Sequence, residues 1–175
     1  MTSGPFSHPP CELERARLVA LEPRSCARLA ASIVAIPPWS VTGYPADALA
    51  RFLAASDGGA SRYLVEIGGE EAGAVSVRFP WLKGPYLELL ALLPQFQSRG
   101  VGASILAWFE QEGVRLGARN LWVCASSFNA RAVRFYGRHG FSPAATLPGL
   151  VADSYDEILL RKFPLEHDAE KREPA

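Results

Sequence analysis

Apolar and polar positions along the chain change period several times, and each change marks an element. Arg15–Leu21 (RARLVAL) reads as a first strand. Pro23–Ile36 follows with leucine and isoleucine at helical spacing, and Pro37 and Pro38 stop it. A second helix is predicted over Pro45–Ala55, with proline in its first turn and Asp57-Gly58-Gly59 beyond its end. Arg62–Ile67 and Ala72–Phe79 are β-type runs around Gly68-Gly69-Glu70-Glu71, the composition of a hairpin turn. Tyr86–Leu93 (YLELLALL) reads as a strand buried on both faces. From Gly100 to Leu116 the period returns to helical: at about 100° per residue, Val101, Ile105, Trp108 and Phe109 share one stripe, which Glu112 interrupts. Gly117 suits the end cap. Asn120–Ala125 is a strand, Asn129–His139 a helix ending at Gly140, and Phe141–Leu147 with Tyr155–Lys162 a closing strand pair. The order β, α, α, β, β, β, α, β, α, β, β has no internal repeat and describes a mixed α/β (α+β) fold.

A chain of 175 residues with this content fits one core, assigned to residues 12–164. Residues 1–11, rich in proline and small polar groups, and the charged stretch 165–175 are expected to be flexible tails. The 18 basic and 18 acidic side chains cancel, so no net field favours nucleic acid or an anionic membrane. Cys11, Cys26 and Cys124 are odd in number and widely spaced, which argues against a disulfide framework and against a metal site. MTSGPFSHPP lacks the features of a signal peptide, and no run reaches the ~18 apolar residues of a membrane span. These points favour a cytoplasmic protein.

Two constellations carry chemistry. In PQFQSRGVGAS a strand ends and Gln97-Ser98-Arg99-Gly100-Val101-Gly102-Ala103 leads straight into a helix. Glycines permit close backbone approach, and the first helical amides are unpaired donors at the positive end of the dipole, so this turn suits a pyrophosphate. Ile105 stands where a dinucleotide fingerprint needs its third glycine, and the Gly-Lys-Ser/Thr of a P-loop is absent. Further on, with Asn129 as zero, Ala132 lies at about 300°, Val133 at about 40° and Tyr136 at about 340°, one helix face. Arg131, Arg134 and Arg138 fall near 200°, 140° and 180°, roughly opposite, and read as a solvated stripe outside the site.

The segment from Leu90 to Gly102, LxLxPxxQxxGxG, followed by Asn129, Tyr136 and Gly140-Phe141 at their spacing, resembles the GNAT superfamily of N-acetyltransferases over roughly Arg15–Phe163. The resemblance implies a central mixed, mostly antiparallel sheet of about seven strands flanked by about four helices, with parallel fourth and fifth strands that splay apart. It implies acetyl-CoA as co-substrate, and with these cysteines no metal is expected. Backbone groups of Leu90 and Leu92 would hold the pantetheine arm, and Gln97, Ser98, Arg99, Gly100, Val101, Gly102 and Ala103 would cradle the pyrophosphate. Asn129 would bond the cofactor arm, and Tyr136 would sit near the sulfur as general acid.

The general base is less well marked. Relatives acting on protein N-termini often carry a glutamate on the fifth strand, where this chain has Cys124, a small buried residue rather than a nucleophile. Glu88, two residues before Leu90 and so expected on the same strand face, is the candidate, with a purely hydrogen-bonded role as the alternative. At pH 7 a lysine amine costs roughly 4–5 kcal/mol to deprotonate and an α-amine about 1–1.4, so a weak base tilts the acceptor toward a low-pKa amine. The expected acceptor is a peptide N-terminus or a small-molecule amine, contacted by the Pro37–Tyr44 loop and the Leu147–Tyr155 connection. Trp39, Tyr44 and Asp153 are the contacts in view, with Trp39 as hydrophobic plug equally open. A homodimer is compatible with this reading. The competing class is a non-catalytic acyl-CoA-binding regulatory module.

Overall fold

The computed structural model describes residues 5–165, and the tails expected at 1–4 and 166–175 lie outside them. The elements in chain order are β1 (Cys11–Glu12), β2 (Arg17–Ala20), α1 (Pro23–Val34), α2 (Trp39–Thr42), α3 (Ala46–Ala54), β3 (Ala60–Ile67), β4 (Glu70–Trp81) and β5 (Gly84–Leu92). A single 3₁₀ turn (Pro94–Phe96) then leads to α4 (Val101–Arg115), β6 (Leu121–Ser126), α5 (Ala130–Arg138), β7 (Ser142–Ala152) and β8 (Tyr155–Lys162). The expected elements all form. β1, α2 and the 3₁₀ turn were not expected, because each is too short to display a period. They make eight strands and five helices among the described residues.

One sheet runs in the order β1-β2-β3-β4-β5-β6-β8-β7. Every neighbouring pair is antiparallel except β5 and β6. That parallel pair is registered at Tyr86↔Trp122 and Leu87↔Val123 alone, so the two strands part beyond Leu87.

Apolar clusters cover the two faces. Against α4 and α5 lie Leu18, Val65, Val75, Val77 and Val123, with Ile105 and Phe109 from α4 and Tyr136 from α5. Against α1 and α3 lie Leu64, Ala74, Leu89 and Ala91, covered by Leu29, Ile33, Leu49 and Leu53. β5 alternates buried and half-buried positions, so the expectation of burial on both faces gives way to one packed face and one facing a cleft. The far edge, β7, is exposed along most of its length.

Glu112, which interrupts the α4 stripe, is 5% exposed. Its carboxylate accepts from the Ser7 amide at 2.8 Å, the Ser7 hydroxyl at 2.6 Å and Arg115 Nη2 at 2.7 Å. Phe6 is buried, with its ring 6.3 Å from Trp108, and Leu165 is buried too. Residues 5–11 and Leu165 are therefore packed against the domain, unlike the tails expected there: one aromatic and one buried charge supply the burial that composition alone does not reveal. Burial by itself would raise the Glu112 pKa, but the bonds from Arg115 and Ser7 outweigh it and hold it below the usual 4.5. A depressed carboxylate contributes stability above its unfolded pKa and loses it as pH falls through the folded value. Glu112→Ala should lower unfolding free energy by about 2–4 kcal/mol near neutrality, measured by urea titration, with the gap to wild type closing as pH drops below ~4.5.

Candidate active site

Because β5 and β6 diverge after Leu87, the sheet opens at its middle, and the residues beyond that point border a gap rather than a ladder. A cleft of about 540 Å³ runs along the α4/α5 side, lined by Leu90, Leu92, Gln97, Ser98, Gly100, Gly102, Ala103, Asn129 and Tyr136. A second cavity of about 200 Å³ occupies the gap, lined by Leu90, Asn129 and Tyr136 together with Glu88, Cys124 and Glu157. Val101 is buried beneath the turn in the core, and Arg99 is exposed, so neither lines the cleft by its side chain.

The turn into α4 is built by backbone. Ser98 has φ 60° and Gly100 φ 79°, two left-handed residues that reverse the chain sharply after the 3₁₀ turn. Gly100 is also the residue preceding the helix, and no side chain caps it, so the first α4 amides remain free donors. Gly102 permits the close approach of α5: a Cβ there would stand 3.1 Å from the Phe135 ring. Gln97 folds back to donate to the Leu92 carbonyl at 2.7 Å, which ties the turn to the end of β5.

Arg131, read from the helical wheel as solvated, reaches this turn. Its guanidinium donates to Gln97 Oε1 at 3.1 Å and Ser98 Oγ at 2.9 Å. Arg131 is exposed as the wheel has it, but it is in the first turn of α5, where side chains tilt back toward the helix start and so reach past its end. Arg138 also lines the cleft. A basic residue in a first helical turn beside a glycine-rich loop was the available signal.

Asn129 accepts from the Ala132 amide at 3.1 Å and so caps α5, leaving its NH₂ group as a donor at the cleft. Tyr136, 8% exposed, is wedged between Phe135 and Phe141 at ring separations of 5.4 and 5.8 Å. Burial, then the nearby Cys124, push its pKa above the ordinary 10, keeping the hydroxyl protonated throughout the accessible range.

Glu88 is placed differently from its expected parity with Leu90. Ser76 pairs with Leu89 and Val77 with Leu87, so Glu88 is the extra residue of a β-bulge. Its side chain turns to the α1/α3 face, accepting from Ser76 Oγ at 2.8 Å and Arg78 Nε at 2.5 Å. It still borders the gap cavity, from the side opposite Tyr136. Cys124 borders it as well, its thiol pushed up to about 12 by burial and then by Glu157, which is an inert state rather than a nucleophile. Glu157, which the sequence reading missed, stands on β8 directly opposite Ser126. Tyr86 lines the same cavity and stacks on Trp81 at 4.5 Å. Of the expected acceptor contacts, Trp39 borders both spaces, whereas Tyr44 packs into the α1/α3 core; Leu150 and Val151 are the part of the Leu147–Tyr155 connection that reaches the gap. Asp153 borders neither cavity.

The acetyltransferase (GNAT) family model matches residues 27–141, well over half of the chain. The chain belongs to the GNAT family. Solved structures agree on the fold. The ribosomal-protein-S18-alanine N-acetyltransferase from Escherichia coli is 18% identical, with 91% of this chain and 99% of that one covered at TM-score 0.67. A GNAT acetyltransferase from Elizabethkingia anophelis, solved with acetyl-CoA bound, is 14% identical, with 76% and 88% covered at TM-score 0.61. Nourseothricin acetyltransferase is 22% identical at TM-score 0.57, and the match spans 62% of this chain and 66% of that one. No curated protein matches in sequence.

The family transfers acetyl groups from acetyl-CoA, and the GNAT cleft of this chain fits such a molecule by its own construction. An uncapped 15-residue helix presents free amides, a glycine approaches without a Cβ, and an arginine stands at the turn. Among the described residues no group of His, Cys, Asp and Glu could hold a metal ion, and no helix is long and apolar enough to cross a membrane.

Proposed function

We propose that this GNAT domain moves the acetyl group of acetyl-CoA to a primary amine by direct attack, the acceptor being a peptide α-amine or a small-molecule amine. The observation that carries the reading is the gap cavity, which borders Leu90, Asn129 and Tyr136 from the α4/α5 face and Glu88 and Glu157 from the other. Two substrates can therefore meet in the sheet from opposite sides. The pyrophosphate is assigned to the Gln97–Ala103 turn with Arg131 beside it, and the pantetheine arm to Leu90, Leu92 and Asn129.

A neutral amine attacks the thioester carbonyl while a backbone N–H near Leu90 or Leu92 stabilises the developing oxyanion. The C–N bond forms, the C–S bond breaks, and Tyr136 gives the departing sulfur its proton. No covalent enzyme intermediate is needed. Glu88, ion-paired with Arg78 and bonded by Ser76, borders the space where the acceptor's ammonium arrives. The exposed apolar side chains Leu150 and Val151, with Trp39, border the entrance and favour an acceptor with an apolar group next to its amine.

The reading predicts release of free thiol from acetyl-CoA when the protein is offered peptides with free N-termini, amino acids, polyamines and aminoglycosides, with at least one class turned over. Tight acetyl-CoA binding by calorimetry without turnover of any class would leave the non-catalytic acyl-CoA-binding module in its place.

A further inference from the structure

Resting on that reading, we infer that Glu157 on β8, rather than Glu88, is the residue that takes the proton from the acceptor's ammonium group. The two carboxylates border one cavity but differ in their partners. Glu88 is committed to Arg78 and Ser76. Glu157 is 5% exposed, accepts from Ser126 Oγ at 2.5 Å, and lies beside the Cys124 thiol. No cation pairs with it among the described residues. A carboxylate buried without a counter-charge is costly, and the penalty is relieved when a cation arrives or a proton is gained. An incoming ammonium offers both.

The position agrees. Ile158 and Leu160 point into the α4/α5 core, so Glu157 points to the opposite face, across the gap from Tyr136. Acid and base then stand on opposite sides of the thioester position, as direct attack requires. The titratable groups around Glu157 are Cys124 from β6, Tyr86 and Glu88 from β5, and Tyr136 from α5; β7 sets Leu147 against it. Burial raises its pKa above 4.5, with the Ser126 and Cys124 hydrogen bonds partly opposing the rise.

The step balances. R–NH₃⁺ gives one proton to the Glu157 carboxylate, and the freed lone pair forms the C–N bond. The C–S bonding pair leaves with sulfur, which is protonated by Tyr136. The second nitrogen proton restores the Tyr136 hydroxyl through water, and Glu157 returns its proton to solvent. The sum is one amide, one free thiol and one H⁺.

Five proteins test it: wild type, Glu157→Gln, Glu157→Asp, Ser126→Ala and Glu88→Gln, each with acetyl-CoA and two probes, an alanyl peptide amide and Nα-acetyl-lysine methylamide. For the probe that wild type turns over, Glu157→Gln should lower kcat/KM about 100-fold at pH 7, in the range of a lost general base. The loss should shrink as pH approaches the amine's own pKa, while acetyl-CoA affinity stays within about twofold of wild type. Ser126→Ala removes a hydrogen bond to the ionised carboxylate, so the acid limb of the pH–rate profile should move to higher pH. Glu157→Asp, which keeps a carboxylate, should retain that limb at reduced rate and serves if the glutamine variant does not fold. Glu88→Gln, at a residue that borders the acceptor position, should alter KM but keep an acid limb in the profile. A Glu157→Gln profile overlaying wild type, or a limb that disappears in Glu88→Gln instead, overturns the assignment. Wild type that binds acetyl-CoA but turns over neither these probes nor the wider panel sinks the acetyltransferase reading itself.

Discussion

Tyr136→Phe should lower kcat by about 10²–10⁴-fold, or roughly 3–5 kcal/mol of transition-state stabilisation, the usual contribution of a positioned acid. The substitution keeps the ring, and with it the contacts to Phe135 and Phe141 that fix the end of α5. Acetyl-CoA affinity and thermal stability should therefore change little, and the loss should appear in kcat rather than KM. The alkaline side supplies a second check. Because burial holds the Tyr136 pKa above 10, wild-type activity should not decline on its account up to about that pH. Steady-state kinetics showing less than about a threefold drop in kcat would make Tyr136 a packing residue and leave the sulfur to be protonated by water.

The second large effect is expected at Gly102. Gly102→Glu sets a carboxylate at the start of α4, where the free amides and Arg131 await an anion, and like charge opposes the ligand at short range. Acetyl-CoA affinity should fall by about 100-fold or more, some 2.8 kcal/mol. Steric and electrostatic causes can be separated, since any Cβ at this position meets the Phe135 ring at 3.1 Å. Gly102→Ala imposes that contact alone and should cost much less. Calorimetry on a folded Gly102→Glu variant with wild-type affinity would remove the pyrophosphate from this turn.

What was legible in the chain depended on how local its cause was. The α4 turn was readable because its requirements, two glycines ahead of an amphipathic run, lie within seven residues. Asn129 and Tyr136 could be placed together because the first caps the helix that carries the second. Glu88 was misplaced because a bulge belongs to a pair of strands: the extra residue shows only in the register of Ser76 and Val77 against Leu89 and Leu87. Glu157 was invisible for a similar reason, since its partner Ser126 is 31 residues away and meets it through β6–β8 pairing. Arg131 was lost to a wheel that treats a helix as endless. Phe6 and Ser7 lay in a segment whose composition suggested a tail, and a charge on a distant helix decided otherwise.

The exposed edge strand β7 bears on how copies of the domain could associate. Pro143 and Pro148 both fall within it, and neither has an amide hydrogen to lend to a strand arriving from outside. The rim is thus blunted against continuation of the sheet, which protects a long, solvent-facing margin from the stacking that leads to fibres. A homodimer joined at this rim would meet through side-chain surfaces, and that contact would be set by shape and charge rather than by a shared backbone ladder.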